Sequence, residues 1–209
     1  MLDTLSFKQA MEAIAACGSD AAVWQRFSWV YVQADQPLLE SRLYLASPED
    51  DETFDDKVDM AAEQGLCTLL EAADFADVLS MQKRQQPLSS LEEYALAMAH
   101  YAEQDAFLEV NPDYAPAAVV PPGLARDLYP EYDVHLAQCP PQLVGAAARV
   151  AAKVLQVDIA TALRGCRALP LCLGERVGAD RRGQIEEGFM STGVPVQCTT
   201  YRSFAWQLA

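Results

Sequence analysis

The side chains able to do chemistry are few and poorly arranged for it. The two histidines, His100 and His135, are far apart in the chain and each stands alone. A serine or cysteine nucleophile needs a base within hydrogen-bond reach, and only these two imidazoles could serve. The neighbouring carboxylates Glu92-Glu93 and Glu186-Glu187 diverge by about 100° if helical, so neither pair is a preset acid and base. No glycine-rich phosphate loop, nucleophile elbow or zinc-protease signature is present. The six cysteines (Cys17, Cys67, Cys139, Cys166, Cys172 and Cys198) include no CxxC pair. Zinc needs four clustered ligands. The expectation is no metal, no cofactor, no catalysis, and free, mostly buried thiols of a reducing compartment.

The dense constellation is acidic. Glu49, Asp50, Asp51, Glu52, Asp55, Asp56 and Asp59 fall within a dozen residues, with Phe54 among them. Like charges this close cannot all be buried, so the stretch is expected as an exposed loop or helix start. Its chemistry is electrostatic contact with a basic surface, with Phe54 as an apolar anchor.

That cluster belongs to a wider asymmetry. Through Asp127 the chain carries 23 acids and 7 bases, and from Leu128 onward 7 acids and 8 bases, so nearly all of the net charge of -15 lies in the first part. Such a split suggests two modules with different tasks. An acidic surface of this strength repels nucleic acid and anionic membrane and attracts basic protein at long range. At 209 residues and 51% apolar the chain can bury a real core. It has no apolar run near the roughly 18 residues that span a bilayer, and its N-terminus lacks the order of a secretory signal, so a soluble, cytoplasmic protein is expected.

The elements that must carry these residues follow from periodicity. Phe7, Met11, Ile14 and Ala15 recur at helical spacing, with a stop at Cys17-Gly18. Trp29 to Val32 and Arg42 to Ala46 read as a strand pair. A helix is expected through Leu70, Phe75, Val78 and Leu79, and another from Ser90, where Ser90 and Glu93 make a capping box. Val110 to Pro130 holds five prolines and no period, which marks 112–130 as a linker packed in extended form between an acidic, mainly helical α+β domain (1–111) and a second α+β domain (131–209). In the second domain Tyr132, Val134 and Leu136 alternate as a strand, with His135 turned outward to solvent. Pro140-Pro141 opens a helix with Leu143, Ala147, Val150 and Val154 on one face. Asp158 caps a second helix ending at Pro170, Leu171 to Val177 is a strand, and a third helix carries Ile185 and Phe189 inward. Val194, Val196 and Cys198 alternate as a last strand, which Pro195 forces toward an edge. The order is β-α-α-β-α-β, with a three-stranded antiparallel sheet.

On Tyr132-Asp-Val-His-Leu136, the paired helices, Pro170, Val177 and Gly193-Val-Pro-Val196, the second domain resembles the C-terminal domain of the bacterial ribosomal stalk protein. That family recruits translation GTPases through a lysine-rich first helix and a Gly-Leu-Gly-Leu-Lys turn. Here those positions read Gln142-Leu-Val-Gly-Ala-Ala-Ala-Arg149 and Leu155-Gln-Val-Asp-Ile159, leaving Arg149 and Lys153 as bases. The stretch from Trp29 to Phe107 is similar to uncharacterised domains found beside bacterial polymorphic toxins, on its Trp-Val-Tyr-Val strand, Tyr44-Leu45, Gly65-Leu66, Gln82, Gln85 and Tyr101-Ala-Glu-Gln-Asp-Ala-Phe107. That resemblance implies an immunity-type or toxin-associated role, not a defined chemistry.

The function expected is therefore a non-catalytic bacterial immunity protein whose partner is a cognate toxin, bound by occluding a basic active-site surface. The contacts expected are Glu49, Asp50, Asp51, Glu52, Phe54, Asp55, Asp56 and Asp59. The alternative is an adaptor that binds a translation GTPase or another partner through the helix pair 142–168. A third is a structural partner within an oligomeric assembly.

Overall fold

The computed structural model describes residues 2–33, 35–51, 63–110 and 120–208. It is an α+β structure that divides into two compact units, and the division is not sequential. Met1–Tyr129 and Arg202–Ala209 form the first unit, and Pro130–Tyr201 the second.

In the first unit, Ser6 caps α1 (Phe7–Ala15) in a reciprocal box with Gln9, and the stripe Phe7, Ala10, Met11 and Ile14 is buried. Ser19 caps the short α2 (Asp20–Arg26). The two-residue β1 (Leu5–Ser6) joins β2 (Trp29–Gln33), β3 (Arg42–Leu45) and β4 (Leu66–Glu71) in an antiparallel sheet of order β1-β3-β2-β4. A single turn, α3 (Pro48–Asp51), follows β3. Gly65, at φ +70°, makes the turn into β4, a conformation that glycine adopts without steric cost. Then come α4 (Ala72–Gln85) and α5 (Leu91–Gln104), the latter opened by the expected Ser90 and Glu93 capping box. Val30 and Leu43 from the sheet pack with Phe7, Met11 and Ile14 from α1 and with Phe75 and Leu79 from α4. Phe7 and Phe75 meet edge to face, 6.2 Å between ring centres.

Leu70 is a correction. It pairs with Val30 in β4 and is not on a helix. The strand runs into α4 with no intervening loop, Glu71 being both its last residue and the helix cap, so the helical period masks the strand.

Two further expectations fail at the domain boundary. Leu124, Ala125 and Leu128, assigned to the linker, are fully buried, and Leu128 joins the first unit's core. The segment Arg202–Ala209, assigned to the second domain, returns to the first. Gly123 and Ala125 bracket Arg202 through two 2.7 Å backbone hydrogen bonds. Phe204 stacks on Trp206 with 4.6 Å between ring centres, and Tyr94 of α5 meets both rings edge-on. The Trp206 indole N–H donates to Glu12 at 2.9 Å. The ammonium of Lys83, fully buried on α4, donates to the Ser203 carbonyl. Of the linker stretch, 111–119 lie outside the described residues.

The second unit has the expected order: β5 (Glu131–Leu136), α6 (Val144–Leu155) preceded by a 3-10 turn at Pro141–Leu143, α7 (Ile159–Arg167), β6 (Leu171–Val177), α8 (Ala179–Met190) and β7 (Gln197–Tyr201). The antiparallel sheet has order β6-β5-β7, with β7 at an edge. Asp158 caps α7 through two backbone N–H groups. Val134, Leu136, Ala147, Ala151, Leu173, Ile185 and Phe189 form the core. Asp133 ties β5 to both neighbours, accepting from the Tyr201 hydroxyl at 2.6 Å and the Arg176 N–H at 2.8 Å. Burial raises its pKa, but these bonds together with the charges of His135 and Arg176 outweigh burial and hold the carboxyl below its ordinary value. The last strand starts at Gln197, past Pro195, which cannot donate to a ladder. His135 alternates outward between the buried Val134 and Leu136, as expected, and is half-buried.

The cysteines are free, but not mostly buried. Cys166 is buried, Cys17 and Cys139 are half-buried, and Cys67, Cys172 and Cys198 are exposed. Among the described residues no helix is long and apolar enough to cross a membrane, and no cluster of ligands could hold a metal.

Because Phe204 is fully buried among Tyr94 and Trp206, Phe204→Ala should destabilise the first unit by about 3 to 5 kcal/mol, the usual cost of emptying a buried aromatic site. Urea unfolding of the full chain measures this. A loss under about 0.5 kcal/mol, typical of surface substitutions, would show that the returning segment is peripheral.

Candidate functional site

The acidic stretch singled out in the sequence is only partly in view. Glu49 is exposed on α3, and Asp50 and Asp51 belong to the same turn. Glu52, Phe54, Asp55, Asp56 and Asp59 lie outside the described residues.

The described residues bring together a second set of acids instead. Asp20, at the first position of α2, faces Asp74 and Asp77 on α4 across two adjoining clefts. The larger, of about 420 Å³, is lined by Asp20, Asp77, Ser80, Met81, Arg84, Phe107, Asp127, Leu128 and Tyr129. The smaller, of about 220 Å³, shares Asp20 and Asp77 and adds Val23, Trp24 and Asp74. The helical period explains the arrangement. Asp74, Asp77, Met81 and Arg84 recur at spacings of three and four, on the face of α4 opposite the buried Phe75 and Leu79.

The groove is electrostatically one-sided. Asp77 has its pKa raised by burial and then by the charges of Asp20 and Asp74, with Arg84 only partly compensating. Tyr129 donates its hydroxyl to Asp20 at 2.6 Å, and burial together with that bond pushes its phenol far above the ordinary value. Tyr101 is raised by burial and then by Asp74, Asp105 and Asp77. In all three groups burial is the largest cause of the rise, and neighbouring carboxylates add to it in the same direction. Arg84 also pairs with Asp127 at 3.3 Å, but both side chains are more than 60% exposed, so that pair contributes little.

Apolar surface borders the acids. Trp24 is 56% exposed on α2 beside Asp20 and Asp74, and Phe107 is 39% exposed against Tyr101, at 5.1 Å between ring centres. Carboxylates flanked by exposed aromatics suit a basic protein surface with apolar side chains among its cations. His100 is half-buried on α5 and does not line either cleft.

Reading for apolar stripes missed this site. The signal within α4 was its polar face, Asp74-x-x-Asp77 with Arg84 two turns on. No local signal announces Asp127 and Tyr129, which come from the proline-rich stretch.

Residues 21–110 match the model of a family described as a domain of unknown function, DUF7716. The match takes in Trp24, Asp74, Asp77 and Phe107, and stops short of Asp127 and Tyr129. No curated protein and no solved structure matches the chain.

Because its folded-state pKa is raised, ionised Asp77 opposes folding at neutral pH, and the folded protein takes up this proton before the unfolded chain does as pH falls. Asp77→Asn should therefore raise the melting temperature at pH 7. The gap should close on descending through the carboxylate range. Thermal unfolding at pH 7 and pH 4 tests this, and an unchanged or lower melting temperature at pH 7 would contradict the electrostatic reading.

Proposed function

We propose that the protein is a non-catalytic binding protein of the immunity type, which neutralises a cognate toxin by covering a basic surface with its acidic first unit. The observation that carries this reading is the shared groove of Asp20, Asp74 and Asp77. With Asp127 they make four carboxylates along the two clefts, and Arg84 is the single base among the lining residues. Carboxylates held together against their mutual repulsion gain when a cation enters, and the gain is largest where water is excluded on docking.

The charge distribution supports the same direction. Toxins that act on nucleic acid or nucleotides need basic clefts, and an acidic partner gains both association rate and affinity against them. The groove is the anchoring contact, with Trp24 and Phe107 as its apolar members. The stretch from Glu49 to Asp59 adds long-range attraction. Catalysis has no role in occlusion of this kind.

The test is a kinetic comparison against the basic protein retained by this chain from its native host. Asp74→Asn combined with Asp77→Asn should slow association roughly three- to tenfold at low salt and flatten its salt dependence, since exposed charges are screened beyond about 8 to 10 Å. Trp24→Ala should act on dissociation instead, as expected of a buried anchor. Failure to retain any basic protein would sink the proposal. If the groove variants bind normally while Ile159→Asp on α7 abolishes binding, the contact lies on the helix pair and the adaptor reading replaces this one.

A further inference from the structure

A third cleft lies in the first unit, lined by none of the acidic groove's residues. It has a volume of about 390 Å³ and is lined by Lys8 of α1, by Leu88, Ser89, Ser90 and Leu91 ahead of and at the start of α5, and by Ala205 and Trp206 of the returning segment. Its walls are apolar. Leu88 is 46% exposed there, Leu91 is half-buried, and the Trp206 ring is held in place by its stack on Phe204 and its bond to Glu12.

Its charge is opposite to that of the chain as a whole. Lys8 is the single ionisable residue in the lining, and its ammonium stands 6.0 Å from the centre of the Trp206 ring. The hydroxyls have partners: Ser89 donates to the Gln86 carbonyl and accepts from Gln82, and Ser90 caps α5. Specificity must therefore come from one cation set against apolar and aromatic walls.

We propose that this cleft binds a small apolar monocarboxylate, an aryl- or alkyl-substituted acid whose hydrocarbon part lies against Leu88, Leu91 and Trp206 and whose carboxylate pairs with Lys8. A mostly apolar concavity with one placed polar group is the usual form of a small-molecule site, and its volume is at the small end of that range. An uncharged ligand would leave Lys8 unused, and a cationic one would meet it head-on. The site joins α1, the start of α5 and the segment after Arg202. A bound acid would thus bridge the parts whose contact closes the first unit's core, and would raise that unit's stability in proportion to its occupancy.

The experiment uses the full chain and three probes: 3-phenylpropionate, its neutral amide, and 3-phenylpropylamine. Binding is followed by the Trp206 indole resonance in heteronuclear NMR. The acid should saturate with a Kd on the order of 1 mM, and, Lys8 being an exposed side chain, the amide and amine should bind about two- to fivefold more weakly. Lys8→Met should abolish the preference for acid over amide. Leu88→Asp, on an exposed side chain, should weaken the acid at least about tenfold while the unliganded melting temperature stays close to wild type. No saturable response to the acid at about 10 mM, equal binding of acid and amide to the unmodified chain, or undiminished binding to Leu88→Asp would each overturn the proposal.

Discussion

The first unit depends on a contact between residues 120 apart in sequence, the buried Lys83 ammonium on the Ser203 carbonyl. A charge placed in an apolar interior costs several kcal/mol unless it is well paired, and the returning segment supplies one of the groups that pair this lysine. Phe204 and Trp206 follow immediately and seat against Tyr94. Polar and apolar contributions therefore act together. Without the segment, the ammonium would lose this carbonyl and Tyr94 both of its edge-on aromatic neighbours at once. The same seating forms one wall of the apolar cleft, through Trp206, and the bracket on Arg202 fixes the stretch from Gly123 onward that supplies Asp127 and Tyr129 to the acidic groove.

The acidic groove shows the usual opposition between stability and binding. Ionised Asp77 weakens the folded state, since burial first and then the charges of Asp20 and Asp74 raise its pKa. A sequence selected for stability alone would hold lysine or asparagine at one of those positions, and stabilising changes of that kind are easy to find in most proteins. The strain is local and electrostatic, whereas the packing beneath it, Phe75, Val78 and Leu79 on the other side of α4, is complete.

Much of the fold was legible because it is written in short-range patterns. The capping box at Ser90 and Glu93, the stripe on α1, the Asp158 cap and the alternation at Tyr132 to Leu136 each involve residues within a few positions of one another, and each fell where the sequence placed it. What escaped was non-local or masked by a neighbour. Leu70 sits in a strand that abuts a helix. Leu124 and Leu128 are buried by partners far away in the chain, in a stretch whose prolines resemble a spacer. Nothing in Ser203-Phe-Ala-Trp206 says which unit will bury it. The groove was half legible: α4 displays its polar face openly, but the partners Asp20 and Tyr129 reach it only through tertiary structure. Cys198 shows the limit in the other direction, since its thiol is pushed up to about 11 by partial desolvation and by donation to Glu186, a bond between β7 and α8 that local spacing does not reveal.

The split of the first unit around Pro130–Tyr201 has a consequence for synthesis on the ribosome. The second unit is continuous and can complete its core as soon as Tyr201 has emerged from the exit tunnel. The first unit, begun with Phe7, cannot complete its own until Phe204 emerges, almost two hundred residues later. At elongation rates of about 5 to 20 residues per second, the roughly 120 residues between Gln85 and Phe204 leave about 6 to 24 seconds in which α1, α4 and the N-terminal sheet exist without their last aromatic layer. The order of birth is thus the reverse of the order of completion, and the nascent N-terminal half is the stage at which a chaperone would find apolar surface to hold.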